Sequence, residues 1–223
     1  MKIDIHSHIL PGIDDGAKTL EESVQLATEM ASWGFERITC TPHITNKFRN
    51  TPQTIKEQFD QLCNALSDRG LNLELRMSAE YRLNPETWPE ILKSGSFMPI
   101  EERYILMELP INEPSEMGDL IPLEEFRKVL AHGLIPILPH PERYFYLEHD
   151  QLLRFVDEGV KIQSNYGSLA GIYGEEARNA ARKFIDEGIV TFLASDMHNM
   201  KYINGIGNWL KEEGYPLWDF PTI

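Results

Sequence analysis

One recurring pattern constrains the fold of this chain more than any other feature. A helical stretch ends at a glycine, and a short apolar run follows that closes on a polar residue. The pattern occurs at WGFERITCTPH, RGLNLELRMSAE, HGLIPILPH, EGVKIQSNY and EGIVTFLASDMH. The apolar runs are typical of buried parallel strands, and the glycines suit left-handed helix ends. With further strands at 2–6 and 104–109, this predicts about seven strands alternating with helices, hence a parallel sheet, either open or closed into a barrel.

The predicted helices carry their own signals. Thr19 followed by Glu22 predicts a capping box, and Gly34 ends the helix that it opens. The segment 83–102, with three prolines, is the least regular and is predicted to be a loop with a short helix. Because no linker or low-complexity tract interrupts the chain, we expect a single domain over residues 1–223.

Composition excludes several classes of protein. The chain has 223 residues, of which 42% are hydrophobic, and 21 Lys+Arg against 35 Asp+Glu give a net charge of −14. Such a charge disfavours general binding to nucleic acid or to anionic membranes. No apolar run approaches the length of a membrane span, the start resembles no signal peptide, and two cysteines cannot form a cysteine-rich zinc site. We therefore expect a soluble cytoplasmic protein without membrane insertion.

Histidines and carboxylates concentrate at the predicted strand ends. In the first strand, alternate residues face one side, so Asp4, His6 and His8 point the same way. A single buried polar group at a strand end is most often a hydrogen-bonded core residue, but nine at six strand ends need another explanation. The nine are His6, His8, Asp15, His43, Glu80, Glu108, His140, Asp196 and His198. Since the carboxyl ends of parallel strands share one face, these side chains should converge.

Five imidazoles and four carboxylates are too many ligands for one ion. Nitrogen and oxygen donors without thiolate suit Mn²⁺, Fe or Zn²⁺. Carboxylates that bridge neighbouring ions give a site that makes hydroxide near neutral pH and clamps phosphoryl oxygens. This predicts hydrolysis, most naturally of a phosphate ester.

The ordered motifs resemble those of the PHP (polymerase and histidinol phosphatase) metallohydrolase superfamily over essentially the whole chain. Within it, the chain is similar to the bacterial metal-dependent protein-tyrosine phosphatases of capsule and exopolysaccharide operons. The motifs that carry the resemblance are D-I-H-S-H-I-L-P-G-I-D-D-G, T-L-E-E-S, T-P-H, A-E-Y, M-E-L-P, H-P-E-R-Y and S-D-M-H-N. The resemblance implies an α/β fold, a distorted (β/α)7 TIM-like barrel with the metal site at the C-terminal face of its strands.

The resemblance also implies three divalent ions. One set of ligands is His6, His8, Glu80 and Asp196, the next is Glu80 (bridging), Glu108 and His140, and the third is Asp15, His43 and His198. Related enzymes often carry histidine at the positions of Glu108 and Asp15, so this oxygen-richer set favours manganese, with Fe or Zn as alternatives. The implied substrate is the phosphotyrosine-bearing tail of a tyrosine kinase that controls capsule or exopolysaccharide synthesis.

The expected mechanism is in-line attack on phosphorus by a metal-bridging hydroxide, without a covalent enzyme intermediate. Arg143 is the candidate for binding phosphate through its planar fork. The resemblance leads us to expect a second arginine shortly after Asp196-x-His198, but Lys201 is the basic residue there. Either Lys201 replaces it, or Lys47 or Arg49 does so.

Alternatives remain open at this stage. They are a small-molecule phosphomonoesterase such as a histidinol phosphatase, a nuclease, which the net charge disfavours, and an inactive metal-binding regulatory module. Cys63 and Arg69 fit the spacing of cysteine-based tyrosine phosphatases, but the intervening residues lack glycine and have helical periodicity. Trp209, Tyr215 and Trp218 are expected to pack, or to form a contact in a homo-oligomer.

Overall fold

The seven predicted strands are present in the computed structural model, which describes residues 2–213, and two of them are interrupted. The resulting nine strands are β1 Ile3–Ser7, β2 Arg37–Cys40, β3 His43–Ile44, β4 Glu74–Met77, β5 Glu80–Arg82, β6 Tyr104–Glu108, β7 Ile135–Pro139, β8 Lys161–Asn165 and β9 Phe192–Ala194. The interruptions fall at 41–42 and 78–79, immediately before His43 and Glu80. Pro42 has no amide hydrogen, so the first break coincides with a residue that cannot continue the ladder.

The strands form two parallel sheets, one in the order β1-β2-β4 and the other in the order β3-β5-β6-β7-β8-β9. Hydrogen bonds link β1 of the small sheet to the segment after β9 of the large sheet. The His8 amide donates to the Met197 carbonyl at 2.8 Å, and the Asp196 amide donates to the His6 carbonyl at 2.9 Å. The molecule is therefore an α/β fold in which the carboxyl ends of both sheets meet.

Eight α-helices accompany these strands within residues 2–213. They are α1 Leu20–Ser32, α2 Pro52–Asp68, α3 Trp88–Ser94, α4 Pro122–Ala131, α5 His149–Asp157, α6 Tyr166–Leu169, α7 Glu175–Asp186 and α8 Met200–Glu213. Helix α3 is the short helix predicted within 83–102, and Cys63 lies inside α2, as predicted. None of the helices in this part of the chain is both long and apolar enough to cross a bilayer.

The start of α1 confirms half of the predicted capping box. The Thr19 hydroxyl accepts the Glu22 amide at 3.2 Å, which satisfies one of the unpaired amides of the first turn. In a complete capping box, the Glu22 carboxylate would accept the backbone amide of Thr19. Here it accepts the backbone amide of Lys18 at 2.9 Å. Gly34, with φ of 103°, follows the helix in the conformation that its position predicted.

Two groups of apolar side chains form the core. The larger group packs helices against the sheets and includes Trp209 of α8. The smaller group contains Ile5, Leu106, Ile137 and Phe192, which come from β1, β6, β7 and β9 and thus from both sheets. Tyr215 and Trp218 lie outside the described residues.

Candidate metal centre

All nine predicted ligands lie at the carboxyl ends of the strands, in one continuous cluster. His6 lies in β1, and His8 directly follows it. Further along the chain, Asp15 precedes α1, His43 begins β3, Glu80 begins β5 and Glu108 ends β6. His140 follows β7, and Asp196 and His198 follow β9. Seven of the nine are buried, whereas His198 is partly exposed and the Asp15 side chain is 51% exposed. The cluster therefore opens to solvent on the side of Asp15.

Four of these side chains lie close together at the buried side of the cluster. The atoms are His6 Nε2, His8 Nε2, Glu80 Oε2 and Asp196 Oδ1. The two imidazole nitrogens are 3.0 Å apart, and each lies 3.3 or 3.4 Å from both carboxylate oxygens. Ligands held 2.0–2.1 Å from a tetrahedral ion are about 3.3 Å from one another. The two imidazole nitrogens thus lie at coordination spacing from each carboxylate, and the ligand atoms that could share one ion are those of His6, His8 and Asp196.

A second group lies on the exposed side of the cluster. His43 Nε2 and His198 Nε2 are 3.4 and 3.5 Å from Asp15 Oδ1, and a ligand atom of His8 is close enough to join them. These are the residues expected to hold the third ion, with His8 as an addition.

The remaining expected set is less compact. His140 Nε2 lies 3.4 Å from Glu80 Oε1 but 3.8 Å from Glu108 Oε1. Glu108 instead forms a compact group with Glu80 and His43, and His140 forms one with Glu80 and His6. Glu80 belongs to both groups, which is the position a bridging carboxylate needs.

The hydrogen bonding of Glu80 indicates that cations belong in this cluster. Four imidazole nitrogens lie within 3.4 Å of its two oxygens, yet neither oxygen has a hydrogen-bond partner of acceptable geometry within residues 2–213. Glu108 Oε2 is likewise buried without such a partner among the described residues. An unpaired buried carboxylate is costly, and a coordinated ion removes that cost. The donor set, all nitrogen and oxygen, fits divalent metal ions.

The electrostatics of the cluster support the same conclusion. Burial opposes a charge on Glu80, but positive His6 and His43 outweigh it and hold the pKa of Glu80 well below its usual range. Burial, together with the adjacent Glu80 carboxylate, raises the pKa of Glu108 to about 7. Burial lowers the pKa of His140 to about 4, which leaves a neutral imidazole, the form that binds metal. A cation bound beside these two carboxylates would offset their mutual repulsion and favour the charged form of Glu108.

Three imidazoles are oriented by partners on their other nitrogen. His6 Nδ1 lies 2.8 Å from Gln163 Oε1, and His8 Nδ1 lies 2.8 Å from Asp14 Oδ2. His198 Nδ1 lies 2.8 Å from the carbonyl oxygen of Asp196. Such partners hold the rings so that Nε2 faces the metal side. Asp14 and Gln163 were not predicted from the sequence, although the Asp-Asp-Gly run after the first strand was an available signal for Asp14.

Two of the ligands sit on strained backbone. His140 has φ of 39° and Asp196 has φ of 50°, in the left-handed region that non-glycine residues seldom occupy. The alternation of the first strand predicted that Asp4 points to the same side as His6. Its carboxylate accepts the backbone amide of Ser195 at 2.9 Å. That bond fixes the turn from which Asp196 projects. Strain retained at such positions is common where a site must be held in a set geometry.

The predicted phosphate-binding residue lies at the edge of the cluster. Arg143 Nη1 donates to Asp196 Oδ2 at 3.0 Å, and its guanidinium lies 4.2 Å from the ring centre of Tyr173. The bond to Asp196 uses one of the five donors of the guanidinium. Lys201 is exposed at the start of α8, whereas Lys47 lies in a loop beside His43, with Nζ 4.8 Å from the Phe48 ring centre.

Comparison with known proteins agrees with this architecture. Residues 2–204 match the family model described as capsular polysaccharide synthesis, CpsB/CapC. The tyrosine-protein phosphatase YwqE of Bacillus subtilis strain 168 is 31% identical over 205 residues, which cover 91% of this chain and 79% of that protein.

Solved structures give the same result. One matching crystal structure belongs to a pair, YwqE of Bacillus subtilis and CpsB of Streptococcus pneumoniae, described as unique metal-dependent tyrosine phosphatases. Its TM-score is 0.80, and the sequences are 29% identical, with 96% of this chain and 89% of that one covered. A histidinol phosphate phosphatase of Lactococcus lactis shares the fold, with a TM-score of 0.58 and 13% identity over 96% of this chain and 94% of that one. The chain belongs to the CpsB/CapC family of capsular polysaccharide synthesis.

Proposed function

We propose that this protein is a metal-dependent phosphotyrosine-protein phosphatase. The observation that carries the proposal is the continuous cluster of nine candidate ligands, in which four groups of three or four side chains each bring their ligand atoms close enough to hold a metal ion. The relatives named tyrosine phosphatases support the substrate class.

The nine ligands would hold three divalent ions. Glu80 would be shared between the two buried groups, and Asp15, His43 and His198 would form the exposed group. The oxygen-rich donor set favours Mn²⁺ over Fe or Zn²⁺. Ions bound there would supply hydroxide at neutral pH and neutralise charge on the phosphoryl oxygens.

The side chains around the ligands bind and orient the substrate. Arg143 offers its remaining donors to phosphoryl oxygens, and its bond to Asp196 and its stack on Tyr173 keep it in position. Lys201 or Lys47 would supply the second positive charge. Phenolate, with a pKa of about 10, leaves more readily than an alkoxide, so a tyrosyl ester needs less help from a proton donor.

The two sheets support a closed architecture for this site. Hydrogen bonds join β1 to the segment after β9, and side chains from β1, β6, β7 and β9 share one core. We infer that the strands close into a distorted (β/α)7 barrel within a single domain of residues 1–223, with the cluster at the C-terminal mouth.

The family membership supports a role in capsule or exopolysaccharide control. We infer that the substrate is the phosphotyrosine-bearing tail of a tyrosine kinase and that the reaction takes place in the cytoplasm. A homo-oligomer is compatible with this role, and nucleic acid is not an expected partner given the charge of −14.

The test is phosphate release from a phosphotyrosyl peptide and from histidinol phosphate, each with Mn²⁺ and then with excess chelator. We expect release from the peptide that the chelator abolishes and that added Mn²⁺ restores. Preferential hydrolysis of histidinol phosphate would replace the proposed substrate with a small phosphomonoester. No release from either substrate at full metal occupancy would favour an inactive metal-binding module.

A further inference from the structure

A cavity of about 340 Å³ opens directly onto the exposed side of the metal cluster. Two of the ligands, Asp15 and His43, form part of its wall. Phe48 and Arg82 also line it. If the phosphoryl group of a substrate binds at this side of the cluster, the part of the substrate attached to that group must lie in the cavity.

The loop that carries Phe48 is held rigidly. The Thr45 hydroxyl accepts the amides of Lys47 at 3.1 Å and Phe48 at 2.9 Å, and the Thr45 amide donates to the Phe48 carbonyl at 2.9 Å. The Asn50 side chain donates to the carbonyls of Ile13 and His43, at 3.0 and 2.8 Å. These bonds tie the loop to both segments that supply the exposed ligands, so the position of the Phe48 ring is set before a substrate arrives.

Phe48 extends an aromatic surface outward from the ligands. Its ring is nearly parallel to the His43 imidazole, at 9° between the planes and 6.0 Å between the centres. The Phe48 ring is only half-buried, so part of it remains open to the cavity. An aromatic ring prefers an offset neighbour at this kind of distance. A phenyl ring attached to a phosphoryl group at the cluster would therefore meet Phe48.

The cavity is lined by charged side chains of both signs, namely Lys47, Arg82, Asp15 and Glu116. Lys47 is exposed at its rim, and Arg82 forms an ion pair with Glu116 at 3.2 Å across it. Because Glu116 already pairs with Arg82, Lys47 is the exposed cation of the lining that can meet a phosphorylated segment.

We propose that the cavity bounded by Phe48, His43 and Arg82 is the aryl subsite, in which the phenyl ring of phosphotyrosine packs against Phe48. The proposal rests on the proposed function and deepens it, because it identifies the feature that distinguishes an aryl phosphate from an alkyl phosphate. Arg143 and the metal ligands bind the phosphoryl group, which both esters share, whereas Phe48 contacts the part that only the aryl ester has.

Two non-hydrolysable probes that differ only in the ring test this proposal. Phenylphosphonate and methylphosphonate are titrated into the Mn²⁺-loaded protein by calorimetry, and their inhibition constants are measured against a phosphotyrosyl peptide. In Phe48→Ala we expect phenylphosphonate to bind about three- to tenfold more weakly, the range of a lost aromatic pair, with methylphosphonate unchanged. Phe48→Tyr should restore the difference, and Phe48→Leu, which keeps the bulk but not the ring, should not.

Phe145 provides the matched control. It is 60% exposed, lies on the loop after β7 and does not line the cavity. Phe145→Ala should leave the preference for phenylphosphonate intact. Equal weakening of both probes by Phe48→Ala, or no weakening at all, would overturn the aryl subsite. Because calorimetry needs no turnover, a protein that binds phenylphosphonate through Phe48 but fails to cleave the peptide would contradict the proposed function alone.

Discussion

Asp14 Oδ2 lies 2.8 Å from His8 Nδ1 and also accepts the backbone amide of His43 at 3.1 Å. One buried carboxylate therefore orients a ligand from β1 and fixes the chain at a ligand from β3. The other oxygen of the Asp14 carboxylate accepts the Gly16 amide at 2.9 Å. These three contacts hold the carboxylate beside the exposed side of the cluster.

We expect Asp14→Asn to weaken metal binding about 10- to 100-fold, because an amide cannot hold the His8 ring as a carboxylate does. Activity should fall at limiting Mn²⁺ and recover when the metal is in excess. Competition with a chelator measures the affinity. Asp60→Asn is the control, since that carboxylate is exposed on α2 and forms an ion pair with Lys56. Unchanged affinity in Asp14→Asn would show that the contact does not orient His8.

Glu80→Gln should have a larger effect than any change outside the ligands. Glu80 lies within 3.4 Å of four imidazole nitrogens, so its loss disrupts both buried groups at once. We expect more than about a 100-fold fall in kcat/KM, beyond the loss caused by removing a partner of a ligand. Elemental analysis should find fewer ions per chain. Glu90→Gln, an exposed glutamate on α3, should retain the full metal content.

Arg143→Ala should reduce kcat/KM about 10- to 100-fold, the range of a charged hydrogen bond, while metal content stays unchanged. Inorganic phosphate should inhibit this variant more weakly by a similar factor. Arg143→Lys should recover part of the loss, because it keeps the charge but not the fork. A variant that retains normal inhibition by phosphate would remove Arg143 from the phosphate site.

Lys47→Ala and Lys201→Ala separate the two candidates for the second cation. Lys47 borders the cavity beside Asp15 and His43, whereas Lys201 is exposed at the start of α8. We expect Lys47→Ala to raise the inhibition constant of phosphate a few-fold and Lys201→Ala to leave it near the parent value. The reverse order would identify Lys201 as the second phosphate contact.

Cys63→Ser should retain full activity. Cys63 lies within α2, and burial, followed by the nearby Asp60 carboxylate, raises the pKa of its thiol. A raised pKa means that less thiolate is present at neutral pH, so the thiol is a poor nucleophile. An alkylating reagent applied at pH 7 should therefore leave phosphatase activity intact. Inactivation that Cys63→Ser prevents would contradict this assignment.

The convergence of the nine candidate ligands was predictable because they lie within or after apolar strands. In a parallel fold, a polar residue just after such a strand lies at the shared face, whatever the curvature of the sheet. His43 and Glu80 follow this rule even though their strands break two residues earlier. The two strand breaks were harder to predict, because only the break before His43 contains a proline, Pro42, that indicates it.

The partners of the ligands were harder to predict because they depend on contacts between distant segments. His6 contacts Gln163, which is 157 positions away, and nothing in the local pattern around Gln163 connects it to a histidine. Asp14 and Asp15 are neighbours with identical side chains, yet one is buried against His8 and the other faces solvent. Only the folded backbone distinguishes them.

The hydrogen bond from the Ser195 amide to Asp4 spans 191 positions and closes the cluster. On the ribosome, the segment that carries Asp196 and His198 emerges long after His6 and His8. Until then the nascent chain holds carboxylates and imidazoles without their full set of partners, and pairings of such long range form slowly. We therefore expect the nine candidate ligands to come together only after residue 198 has left the ribosome.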